Sequence, residues 1–302
     1  MTRRFSDMSE RFLQALNSGK VLLMDGAMGT ELQRAGIGGG ECYELWNLTH
    51  PERVRAIHQA YVNAGAECLL TNTFQANQYS LARHGLQEKL DEINEAGVAI
   101  ARSVAGAKHF VIGDIGWAPA EELGEVVRSL RFADALLFET WSGIGSAKIE
   151  RACDAQFNPG KIPILLSYTY RKKLLPNILK PGYDSCGLDP KGIGIMVRLV
   201  LKKRGISGLG VNCGTDLDMD DIIQIVKAYR QETDLPIFVR PNAGTPKRVG
   251  NCWEYPFTPA MMAERLPELL EAGVSMVGGC CGTTPEHIAA FRPIIDEWNA
   301  RK

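Results

Sequence analysis

The chain has 302 residues, 45% apolar and 23% charged, and its 34 basic and 35 acidic side chains leave a formal net charge of −1. That balance gives a globular protein with a sizeable core and argues against nucleic acid or an anionic membrane surface as the main partner. No run approaches the ~20 apolar residues that span a bilayer, and the N-terminal stretch MTRRFSDMSERFLQALNSGK lacks a signal-peptide core, so the eight cysteines read as reduced thiols or metal ligands of a cytoplasmic protein.

Residues 1–20 read as an N-terminal extension with a helix. Short apolar runs then recur, each followed by a segment of helical periodicity. The expected strands are Val21–Met24, Cys68–Leu70, Phe110–Ile112, Ala135–Phe138, Ile162–Leu166, Leu209–Val211, Ile237–Val239 and Met276–Val277. Pro51–Ala64 is the first expected crossover helix, with Pro at a first helical position and Gly65 just past its end. Leu86–Ala105, Ser146–Gln156, Pro190–Lys203, Asp218–Glu232, Pro259–Ala272 and Pro285–Ala300 follow the same logic, and Glu121–Arg131 is the weakest of the series. Nearly all-apolar strands fit a parallel sheet buried on both faces. Eight strand–helix alternations predict a single-domain (β/α)8 TIM barrel over residues 1–302, with an open doubly wound sheet as the competing arrangement.

A barrel places its chemistry where the strands end. Those ends are rich in polar residues and glycine: Asp25-Gly26-Ala27-Met28-Gly29-Thr30, Thr71-Asn72-Thr73-Phe74, Gly113-Asp114-Ile115-Gly116, Glu139-Thr140, Ser167, Asn212-Cys213-Gly214, Pro241-Asn242-Ala243-Gly244 and Gly278-Gly279-Cys280-Cys281-Gly282. Three cysteines, Cys213, Cys280 and Cys281, thus reach one rim from two strands separated by a single neighbour. Glycines around the adjacent pair permit an irregular backbone that turns both thiols to one side. Three converging thiolates without an evident fourth suit a zinc site with an open position, although small thiols are also common core residues. Cys68, which opens a buried strand, reads as core, and so do Cys42, Cys153, Cys186 and Cys252.

The segments LLMDGAMGTELQ, HQAYVNAGAECLLTNTFQAN, FET at Phe138–Thr140, GVNCG, RPNAGTP and GGCCGTTPEHI run from Leu22 to Ile288. On these the chain resembles the homocysteine S-methyltransferase family, and within it the homocysteine-binding barrel of the cobalamin-dependent methionine synthases. The resemblance implies a zinc-dependent enzyme that makes methionine, with Zn2+ on Cys213, Cys280 and Cys281 and the homocysteine sulfur as the fourth ligand. Metal coordination deprotonates a thiol that otherwise titrates near 8.5, so homocysteine binding is expected to release a proton. Three cysteinates leave zinc with a formal charge of about −1, which favours a nucleophilic bound sulfur over activation of water. The resemblance also implies that Asp25 and Glu139 lie near the substrate ammonium, as opposite charge requires. Asp25 before glycine is equally a common turn, and Glu139 equally suits a cap or an ion pair. Backbone N–H groups around Gly26–Gly29 would take the substrate carboxylate, with Asn72, Thr73 and Asn242 as further polar contacts.

For the methyl donor the resemblance points to a methyl-corrinoid, which a separate protein would carry, since one barrel leaves no segment for folate or cobalamin. The competing donors are small onium compounds such as S-methylmethionine or betaine, for which Trp46, Phe74, Trp117, Trp141, Trp253 and Tyr255 offer aromatic faces. A methyl-transfer subunit, or an enzyme acting on a related thiol, is the alternative function. Gly36–Gly40 lacks the spacing of a dinucleotide loop and reads as a flexible rim loop. His287 is expected on a solvated helix turn, with a supporting role beside the cysteines as the alternative. Arg171–Lys173 and Lys202–Arg204 read as solvated basic faces, the first also as a place where a corrinoid protein would dock.

Overall fold

A computed structural model of the protein describes residues 2–141, 149, 158, 161–172, 189–201, 205–249 and 252–302. Among them, eight parallel strands follow one another around a barrel: β1 (Leu22–Leu23), β2 (Cys68–Leu70), β3 (Phe110–Ile115), β4 (Ala135–Trp141), β5 (Ile164–Tyr168), β6 (Ile206–Asn212), β7 (Ile237–Arg240) and β10 (Met276–Val277). From β2 to β7 each pairs with its chain neighbour, and β10 lies between β7 and β1. The seam between β1 and β2 is closed by a Met24–Cys68 bridge, with Glu67 N–H donating to Leu23 O at 2.7 Å and Asp25 N–H to Cys68 O at 2.9 Å. A small antiparallel hairpin, β8 (Lys247–Val249) with β9 (Cys252–Glu254), rises after β7.

Side chains two apart on a strand face the same way. Leu22 and Met24, Cys68 and Leu70, Phe110 and Ile112, Ala135 and Leu137, with Leu165, Phe238 and Met276, form one buried cluster, separate from the larger shell of apolar contacts. This cluster is the barrel interior. Phe12 and Leu16 join it from the N-terminal helix Thr2–Leu16, and Phe12 meets Phe110 edge-on at 5.4 Å. The expected extension therefore stoppers the end of the barrel opposite the strand termini. One more step of two along each strand reaches the other end, where the inward positions are Gly26, Asn72, Asp114, Glu139, Ser167, Asn212, Arg240 and Gly278. The apolar filling stops there and polar side chains begin.

The expected strands and helices recur with shifted bounds. β3, β4 and β6 run past their apolar runs into polar residues. β5 starts two residues late because Pro163 has no N–H for the ladder. Pro259–Ala272 is two helices, Pro259–Glu264 and Leu266–Glu271: Pro267 cannot donate to the preceding turn. The helix after Asp189 runs as Pro190–Met196 and passes into a π-helical turn at Val197–Leu201. Asp218 caps Met219–Glu232, accepting from Asp221 N–H, and Lys172 reaches both carboxylates at 2.9 and 2.8 Å. Lys172 is thus an internal tether, not a free cation for a docking partner. Ser146–Gln156 apart from Ile149, Cys153, Cys186, Lys173, Lys202–Arg204 and the side chain of Cys252 lie outside the described residues. No helix among the described residues is long and apolar enough to cross a membrane.

His58, on the helix Pro51–Asn63, is fully buried and neither ring nitrogen has a partner. Burial without a hydrogen bond disfavours the imidazolium and lowers its pKa to about 4. The unfolded chain, with an ordinary histidine near 6.5, binds the proton first, so stability present above pH 6.5 is lost as pH falls towards 4. The contribution is about 3 kcal/mol. Other groups titrate in this window, so the comparison is between native protein and His58→Leu. Urea unfolding from pH 7.5 to 4.5 should show the native protein losing up to about 3 kcal/mol more than the variant. Parallel pH profiles would contradict this.

Candidate metal and substrate site

At the open end of the barrel a cavity of about 460 Å3 is lined by Met28, Asn72, Phe74, Asp114, Glu139, Thr140, Arg240 and the three rim cysteines, among others. The sulfurs of Cys213, Cys280 and Cys281 all lie within 4.8 Å of one another, and those of the adjacent pair are 4.0 Å apart. Among the described residues no other cluster of three or more His, Cys, Asp and Glu has metal-binding proximity.

Two backbone devices bring the thiols together. Asn212 faces inward, so simple alternation would turn Cys213 away; a left-handed backbone at Cys213 (φ 53°) returns its thiol to the cavity. Cys280 and Cys281 follow Gly278 and Gly279, and a β-carbon on Gly279 would lie 2.2 Å from Thr283 Oγ1. Side-chain space, not a left-handed φ, makes residue 279 glycine, which refines the expected role of these glycines. The chain then runs beside the end of β7, with Cys280 N–H donating to Pro241 O and Ala243 N–H to Cys281 O.

Polar groups support the sulfurs. Asn242 Nδ2 donates to Cys213 Sγ at 3.6 Å and to Gly214 O at 3.3 Å. Asn212 Nδ2 lies 4.0 Å from Cys280 Sγ and 2.7 Å from Thr140 Oγ1, and Asn212 Oδ1 accepts from Thr140 N–H and Ser167 Oγ. These bonds hold Thr140 at φ 61°, a conformation a β-branched residue rarely adopts. Hydrogen bonds from Cys280 and Cys281 hold the Cys213 thiol down to about 3, while donation to Cys213 pushes Cys280 up to about 11 and raises Cys281. Tyr255 stands against Gly282, and burial, with the nearby Cys281, raises its phenol.

Beside the sulfurs sits a buried charge cluster. Arg240 pairs with Glu139 through Nη1, and its Nη2 reaches Asp25 Oδ1 at 3.3 Å and Gly26 O at 3.0 Å. Asp25 Oδ2 accepts from Leu70 N–H at 2.8 Å, so this carboxylate also fastens the β1–β2 seam. Burial pushes both Asp25 and Glu139 up to about 7 despite the arginine. Asp114 is buried as well; burial and the nearby Glu139 raise it well above the carboxylate range.

Of the expected substrate residues, Glu139 and Asn72 line the cavity. Asp25 and Gly26 lie behind Arg240. Asn72 bonds to Tyr43 O and Asn47 Oδ1, and Thr73 to Thr71 and Asp114 O, so both work within the wall. Asn242 faces Cys213. His287 is buried, bonding to Thr284 and Phe257 O, which corrects the expected solvated turn: its Nδ1 completes the helix cap and its Nε2 ties that helix to the β9 connection. Trp46 and Trp141 are buried, and Trp117 and Trp253 are about half exposed; of the expected aromatic faces, Phe74 and Tyr255 stand nearest the site. Arg240, Thr140 and Asn212 fall within the motif segments and Asp114 at the end of β3, but none of the four is among the expected site residues. Their inward positions, two residues beyond Phe238, Ile112 and Gly210 or following Glu139, were the available signal.

The homocysteine S-methyltransferase family profile matches residues 22–295. Methionine synthase of Mycobacterium leprae is 30% identical over 303 aligned residues, covering 93% of this chain and 25% of that protein. The Mycobacterium tuberculosis methionine synthase is 31% identical, covering 90% and 24%. The chain thus spans about a quarter of the length of these relatives. The metallated crystal structure of the homocysteine methyltransferase MmuM from Escherichia coli superposes with a TM-score of 0.69 at 23% identity, covering 91% of this chain and 96% of that one; it confirms the barrel fold.

Proposed function

The chain belongs to the homocysteine S-methyltransferase family, and from that premise we propose that it transfers a methyl group to the thiol of homocysteine, giving methionine. The observation that carries this reading is the trio of sulfurs within 4.8 Å of one another on the wall of an amino-acid-sized cavity. Soft thiolates select zinc. Zinc–sulfur bonds of about 2.3 Å at tetrahedral angles hold sulfurs roughly 3.8 Å apart, so Cys213, Cys280 and Cys281 need little adjustment to hold the ion. With no fourth His, Cys, Asp or Glu in the group among the described residues, a position remains for substrate. Zinc held there supplies the positive charge that keeps a substrate thiol deprotonated and nucleophilic near neutral pH.

The chain's own residues orient the rest of the substrate. Glu139 presents a carboxylate to the ammonium, and Asp25 acts through Arg240, which it shares with Glu139. Gly26 contributes its carbonyl to the same guanidinium. The Met28–Thr30 stretch lines the cavity and offers backbone N–H groups to the substrate carboxylate. Asn72 and Thr73 keep the wall fixed, and Asn242 steadies Cys213. The sulfur then attacks the methyl carbon while the donor's leaving group departs in line.

We place the methyl donor with methyl-corrinoids, on the resemblance to the barrels of cobalamin-dependent methionine synthases. Zinc-loaded protein with homocysteine should form methionine from methylcobalamin, and the same assay with S-methylmethionine and betaine tests the onium alternative. Homocysteine binding without turnover on any of the three would contradict the enzyme reading and favour a thiol-binding subunit.

A further inference from the structure

We propose that Asp114, at the inward end of β3, is the carboxylate that selects an amino-acid thiol over a simple thiol. This rests on the proposed homocysteine activity and adds a specificity residue that the motif segments do not include.

Three carboxylates, Asp25, Asp114 and Glu139, meet around one guanidinium, and the first and third occupy it. Arg240 spends Nη1 on Glu139 and Nη2 on Asp25 and Gly26 O. Asp25 has its second oxygen on Leu70 N–H. Asp114 differs: it lines the cavity, it is buried, and its Oδ1 has no hydrogen-bond partner. A buried carboxylate oxygen without a partner costs free energy that a ligand cation can return.

The side chain is also held in place. Asp114 N–H donates to Thr71 Oγ1 at 3.0 Å, Asp114 O accepts from Thr73 Oγ1 at 2.8 Å, and the two threonine hydroxyls are 2.6 Å apart. The peptide is fixed on both sides, so the carboxylate meets a ligand preorganised. Asp114 pairs in register with Leu137, two residues before Glu139, so both acids project from adjacent strands into the same end of the barrel. An ammonium between them is hydrogen-bonded by one carboxylate that is bonded to Arg240 and one whose Oδ1 has no partner. A ligand without an ammonium leaves Asp114 unsatisfied, which is the source of discrimination.

The test compares homocysteine with 4-mercaptobutyrate, which keeps the thiol and carboxylate but lacks the amino group. Binding to zinc-loaded native protein and to Asp114→Asn is measured by calorimetry. Asparagine keeps the shape and cannot ionise against the ammonium. The expected result is a loss of about tenfold or more in homocysteine affinity, with 4-mercaptobutyrate affinity changed less than about twofold. Zinc content and circular dichroism equal to native show an intact site, and Asp114→Ser repeats the comparison if the first variant folds poorly. Equal loss for both ligands, or unchanged homocysteine affinity, overturns the proposal while the function reading stands. Native protein that binds neither ligand overturns the function reading itself.

Discussion

Replacing Cys280 with alanine is expected to abolish zinc retention and methionine formation together. The thiol lies within 4.8 Å of the other two sulfurs, and nothing among the described residues stands ready as a substitute ligand. Two remaining cysteines cannot hold zinc at the affinity of three, so metal content measured after gel filtration should fall to near background and turnover by about a thousandfold or more. Cys68→Ala is the control. That thiol is also buried but belongs to the barrel interior, so the variant should cost stability of about 1 kcal/mol and keep its zinc. A Cys280→Ala protein with full turnover would end the proposed chemistry.

Replacing Arg240 with methionine should produce the largest loss of stability. The guanidinium holds Asp25, Glu139 and the Gly26 carbonyl in a buried cluster. Removing one partner of a buried charge network costs about 3–5 kcal/mol, because the remaining charges stay behind without compensation. Both carboxylates are already raised to about 7 by burial, and the variant should raise them further. The unfolded carboxylates titrate near 4, so the folded state favours their protonated form. Stability conferred by that form is present at low pH and is lost as pH rises through the window from 4 to the folded value. The Arg240→Met deficit should therefore be smaller at pH 5 than at pH 8, and smaller again when Asp25→Asn and Glu139→Gln are added. Urea unfolding measures all of these. A deficit below about 1 kcal/mol at pH 8 would show that the cluster is not the buried network described here.

The barrel was legible because all-apolar strands alternate with capped, amphipathic helices, and Cys68–Leu70 and Met276–Val277 carry that signal without interruption. Strand ends were less legible. β3, β4 and β6 continue into Asp114, Glu139 and Asn212, and a polar residue facing a cavity looks, in sequence, like the start of a loop. The cysteine trio was visible because its residue type is informative wherever the backbone puts it. Arg240 stood inside the motif RPNAGTP, yet an arginine beside proline carries no mark of burial. Only the inward register of Phe238 points it at Asp25 and Glu139. The left-handed backbones at Thr140 and Cys213 depend on Asn212 and the neighbouring strand ends, contacts that no local pattern reveals. His287 follows Thr284 by three residues, the spacing of a capping box, with imidazole in the place usually held by a glutamate or glutamine.

The most direct test of the proposed chemistry is X-ray absorption at the zinc edge, recorded on zinc-loaded protein before and after homocysteine is added. Three sulfur neighbours rising to four is the expected result, with Cys213, Cys280 and Cys281 as the three that are always present. A sulfur count that stays the same on adding homocysteine, or that is below three at the outset, would contradict it.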